Sequence, residues 1–110
     1  MKKLKFFMAK EKPYLNPSLT LLELSKKMNT STKELSQAIN QIEALNYSQF
    51  ISRHRVEETQ KLMKSESHNK LTIAAIAYDS GFNSISSFNM AFKKHTKTTA
   101  IAYRKSLKAQ

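Results

Sequence analysis

The chain has 110 residues, with 19 Lys and Arg against 8 Asp and Glu, a formal net charge of +11 with His neutral. A small domain stays in solution with a net charge of roughly 2–8, so this excess points to a polyanionic partner, nucleic acid before an anionic membrane surface. Cys is absent and Gly occurs once, which excludes disulfides, thiolate metal sites and the Gly-rich loops that let backbone approach nucleotide phosphates.

Hydrophobic residues make up 40% of the chain, enough to bury a core. No apolar run approaches the ~18 residues of a membrane span. The start, Met1–Met8, is basic with a short apolar patch broken by Lys5, so no export signal is read there. A reducing cytoplasm is compatible with the lack of Cys. His54, His68 and His95 form no pair at helical spacing, so no metal site is expected. The expectation is a non-enzyme with no cofactor, no small-molecule site in this chain and no membrane contact.

Apolar residues recur at helical spacing along the chain, and no stretch alternates with period two. The fold predicted is all-α, with about seven helices. Lys3–Glu11 forms the first, with Leu4, Phe7 and Met8 on one face, ending before Pro13 because a residue preceding proline disfavours the helical region. Ser18 or Thr20 caps a second, carrying Leu21, Leu22, Leu24 and Met28. Asn29-Thr30 is a break. Ser31-Thr32-Lys33-Glu34 reads as a capping box opening a third helix, whose buried stripe is Leu35, Ala38, Ile39 and Ile42. Asn46-Tyr47-Ser48 opens a longer helix over about Gln49–Lys64, with Phe50, Ile51, Val56, Leu62 and Met63 as its apolar contacts and Arg55 paired with Glu23, Glu57 or Glu58. Ser65–Lys70 is a polar loop. Thr72 caps a helix with Ile73, Ile76 and Ala77 inward. Ser80-Gly81-Phe82-Asn83 is a turn in which Gly81 takes a positive φ. Ser84 caps a helix with Phe88, Ala91 and Phe92 inward. Thr96–Thr99 is a break before a last helix over Ala100–Leu107. Phe82, Phe88, Phe92 and Tyr103 read as core rather than as base-stacking platforms.

An internal repeat runs through these elements. Leu21, Leu24 and Ser25 stand 52 residues before Ile73, Ile76 and Ala77, and Ser31, Leu35 and Ile39 stand 53 before Ser84, Phe88 and Phe92. Each copy is a short helix, a turn and a second helix with a polar outer face, the form of a helix-turn-helix. Two such copies on a strongly basic chain suggest DNA binding.

Gly81-Phe82-Asn83-Ser84-Ile85-Ser86-Ser87-Phe88-Asn89-Met90-Ala91-Phe92-Lys93-Lys94, followed by Tyr103-Arg104, resembles the signature of the AraC/XylS family of bacterial transcription regulators. That signature is Gly-Phe-x-Ser-x-Ser-x-Phe-x-Arg-x-Phe-Lys-Lys, then Gly-x-Thr-Pro-x-x-Tyr-Arg. Leu19–Leu24, Leu35-Ser36-Gln37, Ile39-Asn40 and Phe50-Ile51 through Arg55-Val56 are similar to its first half. The resemblance covers about Tyr14–Arg104. It implies two helix-turn-helix subdomains joined by a long connector helix, divided as 1–13 (first helix and lead-in), 14–46 (first subdomain), 47–65 (connector) and 66–110 (second subdomain and last helix). Thr32–Ile42 and Ile85–His95 would be the helices that enter neighbouring major grooves, ~34 Å apart. The chain departs from the family at Met90, where an Arg is usual, at Lys97 and Ala100, where Gly and Pro are usual, at Thr59, where Ala is usual, and at Ala44, where Gly is common.

Candidate DNA contacts in the first reader are Thr32, Lys33, Ser36, Gln37, Asn40 and Gln41. Gln and Asn pair bidentately with adenine, and Lys meets guanine or phosphate; the alternative for each is a solvated helix face. In the second they are Ser84, Ile85, Ser86, Ser87, Asn89, Met90, Lys93 and Lys94. Asn89 suits base readout, and Ile85 and Met90 suit a thymine methyl, although Met90 would equally pack at the rim of the core. Ser84 reads as a cap whose neighbouring amides can receive phosphate. Lys93 and Lys94, in a basic region with Lys97, Lys105 and Lys108, suit phosphate contact. His95, near a helix end, would favour the dipole.

The function expected is sequence-specific binding of double-stranded DNA and control of transcription. The resemblance implies contact with RNA polymerase and a place as the output domain of a longer sensor-regulator. The rival reading is a non-specific or architectural nucleic-acid-binding protein.

Overall fold

The computed structural model describes residues 2–66, 68 and 70–108. Seven α-helices are found among them: α1 (Lys2–Glu11), α2 (Leu21–Lys27), α3 (Thr32–Glu43), α4 (Tyr47–Lys64), α5 (Ile73–Asp79), α6 (Ile85–Thr96) and α7 (Ala100–Lys108). A 3-10 turn, Pro13–Leu15, follows α1. No strand occurs among the described residues. Of the polar loop expected over 65–70, positions 67 and 69 lie outside the described residues, as does Met1 of the basic start. The chain divides into two compact units, Met1–Ser52 and Arg53–Gln110, and α4 runs through the boundary.

The first unit buries Leu4 and Met8 of α1, Leu24 of α2, Leu35 and Ile39 of α3, and Phe50 and Ile51 of α4 in one cluster with Tyr14 and Leu19. Thr20 caps α2 in a full capping box: its Oγ1 accepts from the Glu23 N–H (3.1 Å), and Glu23 Oε1 accepts from the Thr20 N–H (3.1 Å). Thr20, and not Ser18, therefore starts this helix. At α3 the box is half formed. Ser31 Oγ accepts from the Glu34 N–H (3.1 Å), but the Glu34 carboxylate turns to the Thr30 hydroxyl (3.2 Å). Asn46 and Gln49 exchange the same pair of bonds at the start of α4, at 2.8 and 3.0 Å, which is why α4 begins at Tyr47, earlier than expected. Ile42 departs from the predicted stripe: it lies on the same face as Leu35 and Ile39 but is 52% exposed.

The second unit is built on the same plan. Val56 and Met63 of α4, Ile76 and Ala77 of α5, Phe82, Phe88 and Phe92 around α6, and Ala100 of α7 form its core. Thr59 stands where the family prefers Ala and is fully buried. Its hydroxyl donates to the Val56 carbonyl (2.6 Å), so burial leaves no orphaned polar group. The turn before each second helix is a Schellman motif. In the first unit Thr30 N–H donates to Ser25 O (3.0 Å) and Asn29 N–H to Lys26 O (3.2 Å); in the second Phe82 N–H donates to Ala77 O (3.2 Å) and Gly81 N–H to Tyr78 O (3.1 Å). The left-handed residue that this motif requires is Asn29 (φ 55°) in one copy and Gly81 (φ 99°) in the other.

Both second helices also end in the left-handed region, at Ala44 (φ 56°) and Lys97 (φ 66°). These are the two positions where the family uses Gly. The fold therefore keeps the turn geometry and bears a left-handed cost of about 1–2 kcal/mol per non-Gly residue. Replacing Ala44 by Gly is expected to stabilise the first unit by about 0.5–1 kcal/mol, once the greater freedom of Gly in the unfolded chain is subtracted. An unchanged or lower urea midpoint would contradict this. Ala100, at the family's Pro position, is the first residue of α7 behind the Thr99 cap, where proline is pre-organised for a helix.

Candidate nucleic-acid interface

On α3, Leu35 and Ile39 point into the core, which turns Thr32, Lys33, Gln37, Asn40 and Gln41 out to solvent with Ser36 half-exposed. At about 100° per residue, positions 32, 33, 36, 37 and 40 share one face. Ser36, Gln37, Asn40 and Gln41 line a groove of about 300 Å³ together with Asn46. Asn46 was not among the expected contacts. Its signal was the Asn46-x-x-Gln49 spacing, which marks a helix start and so places Asn46 beside the end of α3.

On α6, Phe88 and Phe92 are fully buried. The corresponding face, 53 residues on, carries half-buried Ile85 and exposed Ser86, Asn89, Met90 and Lys93. Met90 is 75% exposed, the highest value among the large hydrophobic side chains described. It does not pack at the core rim. Ser84 and Ser87 serve the helix start: Ser84 Oγ accepts from the Ser87 N–H (3.1 Å) and donates to Ser87 Oγ (2.9 Å). Ser87 thus stands where Glu34 stands in the first unit. Lys94, like Gln41, is exposed on the edge of its face. The two faces differ chemically. The first is rich in amide groups that both donate and accept; the second combines one amide, a hydroxyl and a cation around an apolar thioether.

Tyr103 and the three Phe residues are core. Ring centroids of Phe82 and Phe88, Phe88 and Phe92, and Phe92 and Tyr103 lie 5.4, 5.6 and 5.6 Å apart, with tilted or edge-on planes.

His95 behaves differently from the expectation. Its pKa is lowered from the ordinary value of 6.5, by burial first and then by the cations Lys94, Arg53 and Lys97. It lines a cleft with Arg53 and Glu57 of α4 and Tyr103 of α7. Burial and these cations outweigh the attraction of a helix C-terminus for a cation. A base whose folded pKa is depressed takes up protons more readily when unfolded, so its contribution to stability is present above pH 6.5 and lost as pH falls through the folded pKa. The wild type is thus expected to lose stability on acidification below pH 6.5 more steeply than His95→Gln. Parallel pH–stability curves for the two proteins would remove His95 as the cause.

No group of metal-binding side chains was found among the described residues, and no described helix is long and apolar enough to cross a membrane. Two helix-turn-helix units, each presenting the polar face of its second helix, define a DNA-binding domain. The sequence matches the family model described as "Helix-turn-helix domain" over residues 24–106. The chain belongs to this helix-turn-helix family, of the AraC type, whose members are DNA-binding regulatory domains and typically not enzymes. Among solved structures, it is similar to the C-terminal domain of AraT, a response regulator from Geobacillus stearothermophilus (24% identity, TM-score 0.74, 96% of this chain and 82% of that one). It is also similar to the C-terminal domain of the two-component response regulator yesN from Fusobacterium nucleatum (24%, 0.74, 94% and 95%). A DNA-binding transcriptional dual regulator from Escherichia coli K-12 superposes at 18% identity with a TM-score of 0.78, over 98% and 91%. These likenesses establish the shared all-α fold. No curated protein sequence matches the chain.

Proposed function

We propose that this domain binds double-stranded DNA in a sequence-specific manner and regulates transcription, with α3 and α6 each reading a major groove. The observation that carries the reading is the equivalence of the exposed faces 32, 33, 36, 37, 40 and 85, 86, 89, 90, 93 on the second helices of two helix-turn-helix units. Phosphate contact by Lys33, Lys93 and Lys94 positions the domain; Gln37, Asn40 and Asn89 read base edges. Two readers on one chain favour sub-sites in neighbouring grooves, about 10 bp apart. Two of the similar structures are C-terminal domains of response regulators, which supports a role as the output part of a longer, cytoplasmic sensor-regulator acting on RNA polymerase.

The test is selection of binding sites from random duplexes at two salt concentrations. Two enriched sub-sites spaced by about one turn are expected. Binding without enrichment, lost at the higher salt, would favour a non-specific binder. Within the selected site, Asn89→Ala should relax preference at one base pair, with a loss of about 1–3 kcal/mol, whereas Lys94→Ala should weaken all sequences alike and flatten the salt slope. An unaltered base preference in Asn89→Ala would take Asn89 out of the readout.

A further inference from the structure

A cleft of about 520 Å³ opens in the second unit between the end of α4 and the last turn of α7. Its described lining is Met63, Lys64, Lys70, Arg104, Leu107 and Lys108. None of the α6 reader residues is among them. The floor is apolar: Met63 is buried, and Leu107 packs half-buried against the same core. The rim is cationic, with Lys64, Lys70 and Lys108 exposed and Arg104 half-buried. No acidic side chain is among the described lining residues.

The internal repeat gives a reason for the opening. In the first unit the link between α1 and the helix-turn-helix carries Tyr14 and Leu15, and both join that unit's core. The corresponding link of the second unit, 65–70, reads Ser-Glu-Ser-His-Asn-Lys. The next residue, Leu71, is apolar but exposed, and it is not part of the core that holds Met63 and Leu107. Among the described residues, the second unit therefore has no equivalent of the Tyr14 and Leu15 cover over its apolar floor, and it surrounds that floor with positive charge.

A volume of this size lies within the roughly 300–1,000 Å³ of small-ligand sites, which combine an apolar lining with a few placed polar groups. Cations gathered around a concave surface raise the local potential and attract an anion, and an anionic head receives charge-assisted hydrogen bonds from Lys and Arg. A duplex phosphate backbone fits the rim but has nothing apolar to set on the floor. We propose that this cleft binds a small amphiphilic anion, a carboxylate or phosphate monoester on a short apolar body, with its head on the lysines and arginine and its body on Met63 and Leu107. The sequence conceals such a site because its lining residues are scattered from 63 to 108.

The test is a titration of the whole chain, labelled at its methionine methyl groups, with octyl phosphate and with octanoate, each below its micelle concentration and followed by NMR. The Met63 methyl signal is expected to move saturably, with those of Met8, Met28 and Met90 unmoved. Leu107→Trp, which fills the floor, should weaken binding at least tenfold. Because that change touches the core, a second variant, Lys64→Glu with Lys108→Glu, alters only exposed rim charges and should weaken binding to the same degree. Which of the two probes binds tighter identifies the head group. An unmoved Met63 signal with both probes would overturn the proposal. So would equal saturation by inorganic phosphate alone, or full retention of binding in the charge-reversed variant. Displacement of octyl phosphate by a random-sequence duplex would assign the cleft to the DNA backbone instead. None of these readouts depends on sequence-specific DNA recognition.

Discussion

Replacing Phe88 with Ala is expected to destabilise the second unit by about 3–5 kcal/mol, the usual cost of emptying a fully buried aromatic site. Phe88 is 0% exposed. Its ring stands edge-on to Phe82 at 5.4 Å and packs against Phe92 at 5.6 Å. Truncation removes both ring contacts and leaves a cavity that α5 and α6 cannot close without losing the turn between them. Native domains have only about 5–15 kcal/mol of stability in all, so this one change takes a large share of it. Urea unfolding followed at residues of each unit is the measurement. The signals of Val56 and Ile76 should be lost at much lower urea than in the wild type. A midpoint within error of wild type would show that α6 is held by something other than its aromatic stack.

Gly81→Val is the second large effect, expected to cost on the order of 3 kcal/mol through backbone strain and the crowding of a buried position. Gly81 has φ 99° and is buried beside Phe82. A β-branched side chain there meets a forbidden backbone region, and the Schellman hydrogen bonds from Gly81 and Phe82 must break or stretch. The first unit supplies the control. Asn29 performs the same turn at φ 55°, and Asn is the residue after Gly that best tolerates the left-handed region. Gly81→Asn should therefore lose much less stability than Gly81→Val. Equal melting temperatures for Gly81→Val and wild type would show that this turn needs no glycine.

Within the second reader the chain departs from its family pattern at Met90, and the structure gives that departure a surface. An Arg at position 90 would combine charge with hydrogen bonding. Met90 offers neither, yet it is well exposed on the face shared with Ser86, Asn89 and Lys93. In the proposed readout, discrimination at this sub-site falls to Asn89 and to apolar contact, which is how a thymine methyl is recognised.

Helix existence, the start signals at Thr72 and Ser84, the positive φ of Gly81 and the repeat of two helix-turn-helix units were legible in the sequence, which left Ser18 and Thr20 open as the start of α2. These features are local. A hydroxyl three residues before the amide it serves, or a stripe with period 3.6, is written in adjacent residues. The core role of the aromatic residues was legible for the same reason. What the tertiary structure decided was which of several available partners a side chain takes and what surrounds it. Ile42 continues an apolar stripe yet is 52% exposed. Ser87, an exposed candidate contact, also accepts from the Ser84 hydroxyl at the helix start. Glu34 leaves its capping box half made because Thr30 offers a second partner. His95 sits at a helix end that attracts protons, yet burial and three cations drawn from α4, α6 and the residue after α6 push its pKa down. The cleft over Met63 and Leu107 is lined by residues 44 positions apart that the ends of α4 and α7 bring together. Backbone preference acts between near neighbours and is readable from sequence order. Burial and electrostatic fields sum over whatever the fold brings close, and for those only the three-dimensional arrangement holds the answer.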